Sequence, residues 1–326
     1  SSKNTATLLT DTSDSEFSPS FIPGTNKVAY LAADKEGVTQ LWMMDADGSG
    51  RKQISFETSD VNDYLFSPCG KKVILVKTVN HESSVQENDA DLKLTTGIVA
   101  NDLMYKHWDH YTKSAPHPFL ADFDGNKVGE SKDLLEGEPY ECPMLPFGGV
   151  EQLAWSPDSK QIAYTCRKLT GLDYAISTDS DIYLYDIATG AVKNLCKPEG
   201  YVRPKCDPTR SLKDQAVNQF KEDVNAGYDQ NPQFSPDGKY IAWSSMERDG
   251  YESDRTRLCI YEFASGKKTY VTESFESGVN EFAWAKDNNT LYFSGVWHGR
   301  TNLYQTNLKG EVKQITDEVA DYVLLG

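Results

Sequence analysis

The side chains most suited to chemistry lie close together in residues 101–110, which read NDLMYKHWDH. His107, Asp109 and His110 are ligand types for a metal ion, but a metal site needs a defined ligand count and supporting hydrogen bonds. The apolar and imidazole side chains of this segment also recur at helical spacing. We therefore predict a packed or interface-forming helix and no metal, with a wall of a substrate chamber and a metal site as the alternatives.

The cysteines offer one candidate crosslink. Cys196 and Cys206 bracket the proline-rich loop 197–205, where a disulfide would close a short ring. Spacing alone does not show geometry, so a bridge and two free thiols both remain open. Cys166 and Cys259 lie in strand patterns, where a small buried apolar residue explains them.

The chain lacks a nucleophile motif for acyl transfer. It contains no Gly-x-Ser-x-Gly, the strand–turn–helix sequence that exposes a nucleophilic serine. Residues 45–48, DADG, hint at a calcium loop but lack the further acidic ligands and the closing Glu, so we predict a tight hairpin there. We predict no cofactor and no catalytic residue in this chain.

A repeated hairpin dominates the rest of the sequence. Its copies are FIPGTNK at 21–27, FSPCGK at 66–71, WSPDSK at 155–160, FSPDGK at 234–239 and WAKDNN at 284–289. Each has an aromatic residue, a turn built on Pro, Asp, Gly or Asn, and then alternating apolar residues. The copies start about 45, 89, 79 and 50 residues apart, against roughly 40 to 50 for a four-stranded propeller blade. Two blades are therefore interrupted by inserts.

The third repeat shows a whole blade, with strands at 151–155, 161–165, 182–185 and 192–195. Val, Ile, Tyr, Phe and Trp alternate in these strands, and turns recur at regular spacing. The sequence predicts an all-β fold: a β-propeller of five blades plus the start of a sixth at 322–326, in one incomplete domain over 1–326. An open β-sandwich array is the alternative.

The inserts fall near 80–115 and 196–230, and both are predicted to be partly helical, the second at 211–220. In an antiparallel meander, successive connections alternate between the two ends of the strands. The connection from the second to the third strand therefore lies at the same end as the connection from the outer strand to the next blade. We expect both inserts to project from one face, bringing Trp108 and Phe220 to the same end. Long loops on a rigid scaffold commonly bind partners.

Composition excludes two classes of partner. The formal charge of -16 over 326 residues opposes binding to phosphate backbones, so we expect no nucleic acid. No apolar stretch approaches the roughly 20 residues that span a bilayer. The chain begins with Ser1 rather than Met, which fits a leader removed by processing or by design.

The hairpins, together with DLMYKHWD at 102–109, resemble the N-terminal β-propeller of prolyl oligopeptidase-family serine peptidases, in the branch with acylaminoacyl and dipeptidyl peptidases. The resemblance implies a periplasmic or secreted peptidase whose propeller filters short peptides for an α/β-hydrolase domain that carries Ser, Asp and His. That domain is absent from this chain, so the chain alone is expected to be inactive. The residues that the resemblance assigns to the substrate chamber or the interdomain surface are Asp102, Tyr105, His107, Trp108 and Asp109.

Dipeptidyl peptidases of this family hold the substrate amine with propeller acids, often adjacent glutamates. Neither insert has a Glu-Glu pair, and we expect the nearby acids to be solvated: Glu82, Glu87, Asp89, Asp91, Glu136, Glu138 and Glu141. The leading hypothesis is a noncatalytic gating propeller of a serine peptidase. The alternatives are a TolB-like protein-binding module and a propeller sugar lyase, which would need histidines and acids at the inner strand ends.

Overall fold

The structure, a computed structural model, describes residues 8–13, 15–81, 89–97, 103, 105–107, 110–111, 113–203 and 224–324. Almost all regular structure in these ranges is β. They contain one α-helix, α1 (Gly171–Ile176), and two single 3₁₀ turns, Ala90–Leu92 and Val150–Gln152. No helix in the described ranges has the length and apolar character to cross a membrane.

Five four-stranded antiparallel sheets make up the fold, each a meander of strands adjacent in the chain. We call the first strand of each sheet its inner strand. The first sheet has β1 (Glu16–Phe21), β2 (Lys27–Ala33), β3 (Thr39–Asp45) and β4 (Lys52–Gln53), and the second has β5 (Val61–Phe66), β6 (Lys72–Asn80), β9 (Ser114–Asp122) and β10 (Lys132–Asp133). The third has β11 (Leu153–Trp155), β12 (Gln161–Cys166), β13 (Asp181–Asp186) and β14 (Val192–Asn194). The fourth has β15 (Asp229–Phe234), β16 (Tyr240–Ser245), β17 (Arg257–Glu262) and β18 (Lys267–Tyr270), and the fifth has β19 (Val279–Trp284), β20 (Thr290–Trp297), β21 (Arg300–Asn307) and β22 (Lys313–Gln314). The predicted fold class, a β-propeller of four-stranded blades, is confirmed.

The serine of the repeated motif closes the hairpins of the third and fourth sheets. Ser156 Oγ donates to Asp158 Oδ1 at 2.7 Å and accepts from the amide of Gln161 at 2.9 Å. Ser235 does the same with Asp237 and the amide of Tyr240, at 2.8 and 3.0 Å. The side chains thereby satisfy turn donors that the strand ladder leaves open.

The chain divides into two compact units, and each has its own core. The first unit, 1–81 with 114–139, holds the first two sheets. Apolar residues from both sheets pack together in it, among them Leu31 and Leu41 from the first sheet and Val73 and Leu75 from the second, all fully buried. Two facing sheets with alternating inward side chains bury their apolar faces against each other.

The second unit, 82–113 with 140–326, holds the other three sheets. One cluster joins the third and fourth sheets through Ile182 and Trp243, and another joins the fourth and fifth through Leu258 and Phe293. Within this unit the third and fourth sheets, and the fourth and fifth sheets, therefore bury faces against each other. The single domain over 1–326 stays a prediction.

The inserts lie where the sequence places them, between β6 and β9 and between β14 and β15. The predicted helix at 101–110 is wrong: β7 (Tyr105–His107) and β8 (His110–Tyr111) pair antiparallel there. Aromatic residues favour strands, and so short a segment forms only a marginal helix, so the helical spacing was not decisive. The predicted helix at 211–220 lies outside the described residues.

Two further expectations concern the predicted sixth blade and the face from which the inserts project. Residues 322–324, the described part of the predicted sixth blade, form no strand. The amide of Tyr322 donates instead to the carbonyl of Thr301 at 3.0 Å, against the edge of the fifth sheet. Trp108 and Phe220 both lie outside the described residues, so projection of both inserts from one face stays a prediction.

Candidate functional site

A cavity of about 580 Å³ opens in the second unit, at the end of the sheets where the inner strands begin. Its walls come from the loop before β11, the residues after β12, helix α1, the start of β15 and the loop after β16. Antiparallel alternation brings all these connections to the same end of the sheets. The volume falls within the roughly 300 to 1,000 Å³ usual for ligand pockets.

An apolar wall of the cavity comes from loop 142–149. Met144, Leu145 and Phe147 line it, and Phe147 is largely exposed. The buried Gln152 fixes this loop, because its Oε1 accepts from the amide of Met144 at 2.7 Å. Gly148 is required here, since a Cβ would lie 2.4 Å from the Met144 carbonyl oxygen and 2.6 Å from Gln152 Nε2.

Arg167 supplies a cationic wall directly after β12. Its guanidinium lies 4.0 Å over the ring of Tyr174, and its NH1 donates to the carbonyl of Ser177 at 2.9 Å. The Tyr174 hydroxyl donates in turn to Glu141 Oε2 at 2.7 Å. Burial raises the pKa of Tyr174, and the nearby Glu141 carboxylate raises it further. The guanidinium is therefore held in a fixed orientation.

Glu141 corrects the expectation that the acids near the inserts are solvated, because it is 5% exposed. Its hydrogen bond from Tyr174 makes burial of the carboxylate tolerable. Asp89, Asp91 and Glu136 are exposed as expected, and Glu138 is half-buried. Glu82 and Glu87 lie outside the described residues.

A bulge in β15 shapes the third wall. The pairing register shifts between Gln230 and Gln233, and Asn231 has a φ of 59°. Its amide donates to Thr165 Oγ1 at 3.2 Å, which ties the bulge to the third sheet. Bulges re-aim side chains next to functional sites, and here Gln230 and Asn231 both line the cavity.

Tyr228 and Glu252 complete the cavity beside this bulge. The Tyr228 hydroxyl approaches Glu252 Oε1 at 3.5 Å. Burial raises the pKa of Tyr228, Arg167 opposes that shift and Glu252 adds to it. Glu252 and the second carboxylate of the cavity, Glu151, are both exposed.

The cavity therefore combines two accessible carboxylates, an oriented guanidinium and an apolar wall. Carboxylates accept from an ammonium group, and a guanidinium donates to a carbonyl or carboxylate oxygen. This set offers acceptors for a cationic group and a donor for a carbonyl or carboxylate oxygen, and its described lining residues include no activated nucleophile.

A second cluster, of buried charges, lies beside the outer strand β14. Lys197 Nζ donates to Asp181 Oδ1 at 2.7 Å and to Asp179 Oδ1 at 2.9 Å. Burial would lower the pKa of Lys197, but the attraction of Asp181 and Asp179 outweighs it and raises the pKa. Asp181, Cys196 and Asp229 present ligand atoms within 4.8 Å of one another, as a metal site would. The ammonium of Lys197 already supplies positive charge there, so we interpret the cluster as structural.

The sequence-predicted site residues are only partly described. Asp102, Trp108 and Asp109 lie outside the described residues, and Tyr105 and His107 are described only as backbone in β7. Cys196 is buried, and its Sγ accepts from the amide of Ile182 at 3.2 Å. Burial raises the pKa of this thiol. Cys206 lies outside the described residues, so the bridge stays a prediction that thiol titration of the denatured, unreduced protein tests.

Sequence reasoning missed the cavity residues. The available signal was loop 142–149, CPMLPFGG, an apolar run rich in Pro and Gly directly before an inner strand. Arg167, Tyr228 and Glu252 carry no local motif, because only the fold brings them together.

Comparison with known proteins supports a peptidase-type propeller. No protein-family model matches the chain. Dipeptidyl-peptidase 5 of Porphyromonas gingivalis is 40% identical over 315 residues, which cover 96% of this chain and 42% of that protein. The chain thus spans less than half the length of this relative.

Solved structures agree on the fold. The acylaminoacyl peptidase of Pyrococcus horikoshii matches with a TM-score of 0.58 at 16% identity, over 93% of this chain and 39% of that one. The β-propeller domain of the Trilobed protease from Pyrococcus furiosus matches with a TM-score of 0.50 at 15% identity, over 93% and 71%. The sheets and these neighbours define the fold as a β-propeller. The sequence relatives narrow this further: the chain is a β-propeller domain of the prolyl oligopeptidase family, in its dipeptidyl- and acylaminoacyl-peptidase branch.

Proposed function

We propose that this chain is the noncatalytic, substrate-gating propeller of a serine peptidase that acts on short peptides in the periplasm or outside the cell. The observation that carries the proposal is the 40% identity, over 96% of the chain, to a dipeptidyl-peptidase. In this proposal a following α/β-hydrolase domain supplies the nucleophile, and the propeller supplies binding and exclusion.

The cavity in the second unit supports a role in binding the amino end of the substrate. Glu151 and Glu252 would accept hydrogen bonds from the α-ammonium group, and Arg167 would donate to the first peptide carbonyl. The apolar wall at Met144 and Phe147 would contact the first side chain. Remote contacts of this kind orient a substrate for chemistry performed elsewhere.

The charge of the cavity favours a dipeptidyl over an acylaminoacyl specificity. An acylated amino end carries no positive charge, so it would leave the Glu151 and Glu252 carboxylates without a cationic partner. A free amino end pairs with them through charge-assisted hydrogen bonds, which are roughly twice as strong as neutral ones.

The test uses the full-length gene product and three substrates: a dipeptide nitroanilide with a free amine, its acetylated counterpart and a small ester. Glu151→Gln and Glu252→Gln should each raise the KM for the free-amine peptide about tenfold, the size expected when one charge-assisted contact of about 1.4 kcal/mol is lost. Hydrolysis of the ester and of the acetylated peptide should not change.

Glu247→Gln is the matched control, because Glu247 lies in the same loop as Glu252 without lining the cavity. Equal effects of the Glu252 and Glu247 variants, or equal effects on peptide and ester, would contradict amine recognition by this cavity. A full-length product that hydrolyses none of the substrates would favour the protein-binding alternative.

A further inference from the structure

Two histidines lie together at one end of the first unit, in a place that the peptide cavity does not involve. His117 belongs to β9, opposite Lys77 of β6, and His81 directly follows β6. Their ring centres are 5.1 Å apart and their planes make an angle of 39°. Ala115, on the same face of β9 as His117, is a small buried residue.

A carboxylate fixes the orientation of His117. Its Nδ1 lies 2.9 Å from Asp133 Oδ2 and 3.1 Å from Asp133 Oδ1. Asp133 Oδ1 also accepts from the amide of Leu135 at 2.8 Å, which holds the carboxylate in place. In the neutral ring the proton therefore sits on Nδ1, and Nε2 presents a lone pair. Histidines that bind metals are commonly oriented in this way.

The Nε2 atom of His117 has no hydrogen-bond partner among the described residues, and the residue is only 1% exposed. Buried polar atoms are nearly always satisfied, so the Nε2 lone pair marks the position at which a bound group would act. A cation that accepts the lone pair would satisfy it.

We propose that His117 and His81 bind one divalent transition-metal ion of the zinc, nickel or copper type, with Asp133 as the orienting carboxylate and water in the remaining positions. Imidazole suits these metals. Two imidazoles that share a tetrahedral zinc at about 2.0 Å from each nitrogen have ring centres about 5 Å apart, close to the separation seen here.

The neighbouring charges permit a cation at this place. Lys77, opposite His117, donates to Glu57 Oε2 at 2.6 Å and to Ser131 Oγ at 2.9 Å, so the Glu57 carboxylate balances its charge. The other candidate ligand group in the described ranges, around Asp181, already contains the ammonium of Lys197.

The experiment titrates Ni²⁺ and Zn²⁺ into the chelator-treated 326-residue chain by calorimetry. A Cys69→Ser background is used because Cys69 is an exposed thiol that would bind either metal. We expect one ion per chain. His117→Gln and His81→Gln should each weaken binding at least tenfold, and Asp133→Asn should weaken it about 10- to 100-fold without removing a ligand.

His298→Gln is the control, since this exposed histidine lies in the second unit, and it should leave the affinity unchanged. Electron paramagnetic resonance of the Cu²⁺ form should show two coordinated imidazole nitrogens, and one after His81→Gln, which keeps the test decisive should His117→Gln unfold. Absence of stoichiometric binding, or a Cu²⁺ spectrum that His81→Gln does not alter, would overturn the proposal.

Discussion

At the scale of single residues, the charged side chains inside the second unit are organised by pairing. Lys197 is almost fully buried and donates to Asp179 and Asp181, and Arg203 donates to Asp179 and to Asp249 at 2.7 Å. Buried ions of this kind persist only when each charge has a partner with good geometry. Removing one of these partners should therefore lower the free energy of unfolding much more than removing a surface charge.

Lys197→Met is expected to destabilise the chain by about 3 to 5 kcal/mol, because it leaves the buried Asp181 carboxylate without a cationic partner and removes one of the two cations that pair with Asp179. Urea unfolding of the 326-residue chain measures this. Lys160→Met is the control, since the Lys160 side chain is 78% exposed and its ion pair with Asp158 spans 3.6 Å. Similar decreases in the free energy of unfolding for the two variants would show that the Lys197 ammonium does not stabilise the cluster.

Asp254 gives a prediction about pH. Burial tends to raise its pKa, but hydrogen bonds from the Arg248 side chain and from the amides of Arg248, Arg255 and Glu247 outweigh burial and lower it. Because the folded pKa lies below the unfolded value, the stabilisation is complete above the unfolded pKa of about 3.9 and is lost as pH falls through the folded pKa.

The Asp254→Asn variant should therefore be less stable than wild type by about 1 to 3 kcal/mol at pH 7, with the difference shrinking below about pH 4. Chemical unfolding at several pH values tests this, and Glu281→Gln, on the exposed side of β19, is the control. A stability difference between wild type and Asp254→Asn that stays constant from pH 7 to pH 3 would contradict the lowered pKa of Asp254.

At the scale of elements, the sequence is most informative where a local rule decides the structure. The Ser-Pro-Asp-Gly-Lys hairpin at 235–239 could be predicted because the Ser235 and Asp237 side chains satisfy the turn amides within six residues. The segment 105–111 could not, because its spacing fits a helix while its aromatic residues fit a strand, and tertiary pairing decides between them.

Gly227 joins the second insert to β15 and touches the loop after β16. A Cβ at Gly227 would lie 2.5 Å from the carbonyl oxygen of Met246, while the amide of Met246 donates to the Tyr228 carbonyl at 2.7 Å. Gly227→Ala should therefore separate the two segments, cost about 1 to 3 kcal/mol and weaken peptide binding in the cavity.

Thermal unfolding and peptide titration of Gly227→Ala test this expectation. Gly97→Ala is the matched control, since no atom of the described residues lies within 4 Å of a Cβ built there. If Gly227→Ala binds peptide and unfolds like wild type, the close contact with Met246 does not shape the cavity.

At the scale of the whole molecule, the repeated hairpin motif made the fold predictable. The cavity of the second unit could not be predicted, because residues far apart in the sequence form it. Five hairpin copies, two of them followed by an insert-bearing blade, indicate five sheets, and the structure has five four-stranded sheets in the described residues. The cavity draws on Glu151, Arg167, Tyr228 and Glu252, which lie on separate connections. The sequence spacing of these four residues does not show that they lie close together. They meet only when the third and fourth sheets form, because antiparallel alternation brings their connections to the same end.

The central claim is that this propeller contributes selection and no chemistry. Acyl transfer requires an activated serine, a histidine base and oxyanion donors within hydrogen-bond reach, which we assign to a separate hydrolase domain. The measurement compares hydrolysis of a free-amine dipeptide nitroanilide by the purified 326-residue chain and by the full-length gene product, each with and without a fluorophosphonate. We predict no hydrolysis by the chain and fluorophosphonate-sensitive hydrolysis by the full-length product. Fluorophosphonate-sensitive hydrolysis by the 326-residue chain itself would contradict the account.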